Sequence, residues 1–194
     1  MTPTPTPGSD GASMQVVSHL VSMLRDFTEA TLVTRSRGGS LHGRPMCIAR
    51  VDDNVTLWFI TSIASAKVDE VADDARAMVS LQSSSRFVSL NGNAELVFDP
   101  QQIRALWRDT YATWFDGERE PDLVLVRFQA FDAEYWDKSG VRGFKQVLQA
   151  ARSYVTGHEL EAKPELTTDP ESHAKLSLWD PSQRLASPDV KRAG

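Results

Sequence analysis

The sequence predicts a mainly β fold with flanking helices (α+β), in which six antiparallel strands close into a small barrel. Three observations carry that expectation. Runs rich in β-branched and aromatic residues recur from residue 31 to residue 137, and each is bounded by polar or glycine-containing turns. In the first half the turns are of hairpin length, Gly38, Gly39 and Ser40 first and then Asp52, Asp53 and Asn54, which makes a meander. A single open sheet of that size would leave unpaired edges, and closure removes them.

Taken in order, residues 1–13 alternate Thr and Pro and end in small polar residues. They bury too little surface to offset chain entropy and are expected to be disordered. Met14, Val17, Leu20, Val21 and Leu24 then fall on one helical stripe behind Ser13 as N-cap. Strands are predicted over 31–37, 42–51 and 55–61, followed by a helix over 65–76 with Val68, Val71, Ala72 and Ala75 on its apolar face. Two further strands, 78–82 and 87–98, are joined through Ser83, Ser84, Ser85 and Arg86. Asn91 and Gly92 could mark a tight hairpin, but the arms would be very short, so one long strand with a glycine bulge is expected. Asp99 and Pro100 cap a helix carrying Ile103, Leu106, Trp107, Thr110, Tyr111 and Trp114 along one side.

After a loop over 116–121, residues 122–137 form the last strand. Period-2 alternation puts Val124, Val126, Phe128 and Trp136 on one face, and Leu123, Leu125, Phe131 and Tyr135 on the other. A final helix is expected over 141–155, with Val141, Phe144, Leu148 and Val155 on its stripe. The domain thus spans 14–156, and 157–194 reads as a mostly irregular tail that docks through Trp179, beside Leu176 and Leu178.

Composition narrows the function. A net charge of −5 over 194 residues argues against a nucleic-acid footprint across the surface. The single cysteine, Cys47, precludes an intramolecular disulfide framework and suits a reducing cytoplasm. No apolar run approaches the roughly 20 residues of a membrane span. The four histidines show no metal-ligand spacing, and no phosphate-loop, dinucleotide or nucleophile-elbow motif is present. Cys47 lies mid-strand between Met46 and Ile48 and reads as a small hydrophobe; Asp69, Glu70, Asp73 and Asp74 read as one solvated helix face. No catalytic residue is assigned.

Three separated pieces point to an anion and a planar ring. Thr61, Ser62, Ser65 and Lys67 stand where a strand breaks into a helix, so hydroxyls, unpaired backbone N–H groups and one cation meet. Arg44, ahead of Pro45 and Met46 at the start of a strand, can point across the barrel mouth. Arg supplies a planar fork and Lys a compact charge, a pairing suited to phosphate. Glu134, Tyr135, Trp136 and Asp137 end the last strand, and Trp136 could cover a ring system. Taken singly, Arg44 and Lys67 are ordinary surface charges and Trp136 an ordinary core residue.

Together these pieces resemble the pyridoxamine 5′-phosphate oxidase-like flavoproteins, in particular their general stress protein 26 branch. The likeness spans 18–148 and rests on Arg44-Pro45-Met46, on Trp58-Phe59-Ile60-Thr61 with Ser65-Ala66-Lys67, on Gly92 with Ala94 and Glu95, and on Pro121-Asp122-Leu123 leading to Glu134-Tyr135-Trp136-Asp137. The resemblance implies a split β-barrel homodimer of the FMN-binding type. It implies Arg44 and Lys67 on the flavin phosphate with Ser65 assisting, Met46 through Ala49 (Cys47 included) and Ile60-Thr61 along the isoalloxazine and ribityl groups, and Trp136 approaching from the second subunit.

The departures from the oxidase proper bear on activity. Ala66 stands where the oxidase has an Arg beside its phosphate Lys, and Phe87 stands near the position of a Gln. In place of the Arg-Leu-His substrate clamp the chain runs Asp137-Lys138-Ser139-Gly140. Pyridoxamine 5′-phosphate oxidase activity is therefore not expected, because a buried polar substrate needs its partners supplied. The loss of a cation also leaves FAD as an alternative to FMN. Two functions follow: a general-stress-type flavin-binding protein acting as a weak oxidoreductase with NAD(P)H or an unidentified redox partner, or a non-catalytic flavin or ligand sensor or partner-binding module on the same barrel.

Overall fold

The computed structural model describes residues 9–115, 117, 122–139 and 173–178. The predicted helix over 141–155, residues 1–8, most of the loop at 116–121 and Trp179 lie outside them. The elements are α1 (Ser9–Arg25), β1 (Glu29–Arg35), β2 (Leu41–Val51), β3 (Thr56–Ser62), α2 (Ala66–Asp73), β4 (Arg76–Gln82), β5 (Arg86–Val97), α3 (Pro100–Leu106), a 3-10 helix (Asp109–Thr113), β6 (Leu123–Asp137) and β7 (His173–Ser177).

The strands run β3-β2-β1-β4-β5-β6-β7, every pair antiparallel, and β3 also pairs with β6. That extra seam, Thr56↔Gln129 through Ser62↔Leu123, closes the first six strands into a barrel. The β1–β2 hairpin turns through Gly39 at φ 87, a conformation open to glycine without strain. The predicted mainly β barrel with flanking helices is the observed fold.

The barrel interior is filled from every wall and from one helix. Leu32, Ile48, Leu57, Phe59, Val79, Leu81, Val88, Leu90, Val126, Phe128 and Tyr135 are buried there, joined by Leu20 and Leu24 of α1. A smaller cluster lies outside the wall, where α3 and the 3-10 helix place Ile103, Leu106 and Tyr111 over Ala49, Trp58, Ile60, Leu123 and Leu125. Both faces of the first half of β6 are therefore covered, as its apolar run predicts.

The structure changes the sequence expectations at five places. α1 begins at Ser9, so the helix takes in part of the stretch expected to be a disordered tail. α2 ends at Asp73, so Ala75 lies beyond it; Ala72 and Ala75 are exposed, and the inward face of the helix is Val68, Glu70 and Val71. α3 stops at Leu106 because Trp107 is extended, and the chain restarts as the 3-10 helix, leaving Trp114 exposed. Within the tail, expected to be mostly irregular, residues 173–177 form β7, with Leu176 and Leu178 packed against the core.

The fifth change is a parity switch. The register between β5 and β6 slips from Asn91↔Asp132 to Gly92↔Ala130, so the extra residue of the predicted bulge is Phe131 on β6. Beyond it the alternation inverts: Tyr135 joins Phe128 inside, and Trp136 turns outward. Simple period-2 counting puts Trp136 with Phe128.

Gly92 is needed at that slip. A Cβ there would meet the Gln129 carbonyl oxygen and the Phe128 ring, whose Cζ would lie 2.5 Å away. Neither the ladder carbonyl nor a buried ring can retreat cheaply. Gly92→Ala is expected to destabilise the fold by about 1–3 kcal/mol, the usual scale of overpacking. Urea denaturation of the two proteins measures it, and an unchanged midpoint would show that the bulge gives way.

Candidate functional site

The chain ends β3 at Ser62 and enters α2 within three residues. Ser65 N–H donates to the Ser62 carbonyl at 3.1 Å, and Ala64 N–H donates to Ser62 Oγ at 3.2 Å, which makes the tight junction expected from the polar run. Ser65 occupies the N-cap of α2, yet its hydroxyl makes no cap bond. It accepts from Lys67 Nζ at 2.5 Å, and Lys67 Nζ also donates to Thr61 Oγ1 at 2.9 Å.

Lys67 thus spends its ammonium on two neutral hydroxyls. Among the described residues it forms no ion pair with a carboxylate. Burial lowers its pKa, and the positive charge of Arg44 lowers it further, with Glu70 pulling the other way. The charged form is therefore short of compensation, the condition that an anionic ligand relieves.

Arg44 is in a different state. Its position on β2 shares the inward face with Met46 and Ile48, so it points across the barrel mouth as predicted. There its Nη2 pairs with Glu70 Oε2 at 2.8 Å, and its Nη1 donates to Thr34 Oγ1 at 2.7 Å and to the His42 carbonyl at 3.3 Å. The Thr34 hydroxyl donates its own hydrogen bond to Glu70 Oε2 at 2.5 Å. His42 Nδ1 lies 2.7 Å from Glu70 Oε1.

Glu70 was expected on a solvated face with Asp69, Asp73 and Asp74, and the structure overturns that. It is 7% exposed, whereas Asp73 forms the kind of surface pair, with Arg37, that contributes about 0–1 kcal/mol. Burial on its own would raise the Glu70 pKa. Hydrogen bonds from Thr34, His42 and Arg44, together with the Arg44 charge, outweigh that and hold it at about 2. Removing Arg44 would strand the carboxylate, a loss on the scale of about 3–5 kcal/mol for a broken buried pair.

Thr34, His42 and Glu70 are site residues that the sequence reading did not select. Two signals for them existed. Thr34 and His42 face each other in the β1–β2 register, and Glu70 follows Lys67 by three residues, so the two share a side of α2.

The remaining predicted site residues divide between the two faces of the wall. Met46 and Thr61 are buried toward the interior, next to the Arg44–Lys67 cluster in chain order. Cys47 and Ile60 belong to the outer cluster under α3, while Pro45 is exposed and Ser62 half-buried. Burial, with the Glu29 carboxylate opposite it, raises the Cys47 thiol pKa, which suits an inert side chain rather than a nucleophile. Trp136 does not join the cluster within one chain. Its ring stacks on His173 of β7, with centroids 5.1 Å apart.

The model of the family described as pyridoxamine 5′-phosphate oxidase like matches residues 15–161. The chain belongs to that family. Its fold is shared by solved structures of low identity. One, named for general stress protein 26, from Jannaschia sp. CCS1, has 20% identity over 88% of this chain and 99% of that one, with a TM-score of 0.58. General stress protein 26 from Bacillus anthracis str. Sterne has 16% identity over 62% of this chain and 93% of its own, with a TM-score of 0.57. A Clostridium acetobutylicum protein related to general stress protein 26 of B. subtilis gives the same TM-score of 0.57 at 16% identity, covering 64% of this chain and 89% of its own. No curated protein matches the chain by sequence. Among the described residues, no helix is long and apolar enough to cross a membrane.

In this member of the pyridoxamine 5′-phosphate oxidase-like family, acid should act on Glu70. Its folded pKa, about 2, lies below the ordinary 4.5, so its contribution to stability is complete above pH 4.5 and disappears as the pH falls toward 2. The thermal midpoint of the natural protein is expected to exceed that of Glu70→Gln most at neutral pH, with the gap narrowing through that window. A gap independent of pH would remove Glu70 as the titrating group.

Proposed function

We propose that this protein binds a flavin, FMN in first place and FAD as the alternative, through the phosphate, and that it acts as a general-stress-type flavoprotein. The observation that carries the proposal is Lys67: a half-buried ammonium held by Thr61 and Ser65 hydroxyls, with no carboxylate paired to it among the described residues. Those three groups fit a phosphate, since one offers charge and two offer O–H donors once the ammonium turns to the ligand. Arg44 stands behind them as a second cation, already shared with Glu70. Family membership supports the assignment.

A homodimer belongs to the same proposal. Trp136 faces outward, and Val124, the β3-side partner of Thr61, precedes it on β6 by about 40 Å of extended strand. A second copy is the simplest source of an aromatic wall for the ring. The free Cys47 suits a cytoplasmic setting. A bound flavin supplies the redox chemistry itself, with NAD(P)H or an unidentified partner as electron donor; the protein holds and orients it.

A non-catalytic flavin sensor on the same barrel is the second reading. Ala66 beside Lys67, Phe87 on β5 and the engagement of Arg44 by Glu70 favour it, since each removes polar groups that a reacting substrate could use. Turnover of bound flavin with NADH or NADPH separates the two: measurable reduction supports the enzyme, binding without reduction the sensor.

The test of binding is direct. The purified protein, titrated with FMN, is expected to quench flavin fluorescence, and Lys67→Ala is expected to weaken that affinity by about tenfold or more, the scale of one charge-assisted contact. Riboflavin, which lacks the phosphate, should bind both proteins alike. Unchanged FMN affinity in Lys67→Ala would overturn the phosphate assignment.

A further inference from the structure

We infer that Glu70 sets the charge selectivity of the site by occupying Arg44 with its own carboxylate, so that Lys67 alone reads the phosphate of a ligand. The inference rests on the phosphate-binding reading above and adds to it a residue that tunes which ligands are accepted.

The geometry is that of an internal competitor. Glu70 Oε2 lies 2.8 Å from Arg44 Nη2, the place that a ligand oxygen would otherwise take on the guanidinium fork. The Arg44 Nη1 edge is also engaged, by Thr34 Oγ1 at 2.7 Å and the His42 carbonyl at 3.3 Å. Glu70 in turn is fixed by Thr34 at 2.5 Å and by His42 at 2.7 Å. A carboxylate 7% exposed and bonded by three side chains does not swing away at no cost.

The charge count gives the consequence. Arg44 and Lys67 carry two positive charges, and Glu70 cancels one. A phosphomonoester carries about −1.5 to −2 at neutral pH. The cluster therefore under-compensates such a group, and the Lys67–Glu70 spacing on α2 places the offsetting charge beside the cation that must bind it. The site discriminates FMN from uncharged riboflavin less sharply than the same site without Glu70 would.

The experiment compares FMN and riboflavin affinities by fluorescence titration, with inorganic phosphate as competitor. Glu70→Gln keeps the shape and an acceptor oxygen but removes the charge. It is expected to raise the FMN preference over riboflavin by about tenfold, the scale of one largely water-screened charge a few ångströms away, and to make phosphate a stronger competitor. Glu70→Asp keeps the charge and should leave the preference within about threefold of the natural protein. The double variant R44Q/E70Q removes a neutral pair, so its preference should also stay within about threefold.

The outcomes separate the two claims. If the natural protein binds FMN and riboflavin equally and phosphate does not compete, the phosphate reading falls and this inference with it. If the natural protein prefers FMN but Glu70→Gln leaves the preference unchanged or lowers it, the role of Glu70 is overturned while the phosphate site stands. Should Glu70→Gln fail to fold, R44Q/E70Q decides: a preference reduced about tenfold would show that Arg44 grips the phosphate directly.

Discussion

The seam between β3 and β6 is the constraint from which the rest of this structure follows. β3 is apolar on both faces, and an open sheet would leave its outer edge unpaired. Pairing it with β6 from Thr56↔Gln129 to Ser62↔Leu123 satisfies that edge and draws the other strands into a closed wall. Closure encloses Leu57, Phe59, Val126 and Phe128, which seal the interior, and leaves Trp58, Ile60 and Leu125 for α3 to cover. It also fixes where β3 ends. Ile63 N–H reaches the Asp122 carbonyl at 2.6 Å, and the chain must then turn sharply into α2.

That turn brings Lys67 and Glu70 to the barrel mouth opposite Arg44. The cluster is built from the β1–β2 hairpin, the end of β3 and the first turns of α2. Its most separated members, Thr34 and Glu70, are 36 residues apart in the chain. The polar groups share a place that apolar side chains would otherwise seal. Each buried member is compensated by hydrogen bonds, and among the described residues Lys67 is bonded only by hydroxyls. A cation in that position is a poor contribution to stability on its own, since burial opposes its charge.

Much of this was legible in the sequence because the signals were local. The hairpin glycines, the Asp99-Pro100 cap with Gln101 and Gln102 N–H bonds, and the hydroxyl-rich strand-to-helix junction each announce themselves within a few residues. Arg44 and Lys67 were recognisable by type and by resemblance. What the sequence hid was tertiary. A Glu in a run of acidic residues looks solvated until a hairpin and a helix place Thr34, His42 and Arg44 around it. The outward turn of Trp136 depends on one extra residue in the β5–β6 register, Phe131, which no alternation rule locates. β7 was hidden because a five-residue strand far from its partner carries little periodic signal.

β7 completes the edge that β3 leaves bare. β3 covers β6 from Leu123 to Gln129, and β7 takes up the same edge from Asp132 to Trp136, with β5 on the opposite side. Without those five residues, β6 would offer a run of free backbone donors and acceptors, flanked by the Trp136 ring, to any passing strand. The segment thus protects individual molecules from sticking to one another through their sheets. Lys175, exposed at its centre, extends the protection to the new outer edge, because two such edges approaching side by side would bring like charges together.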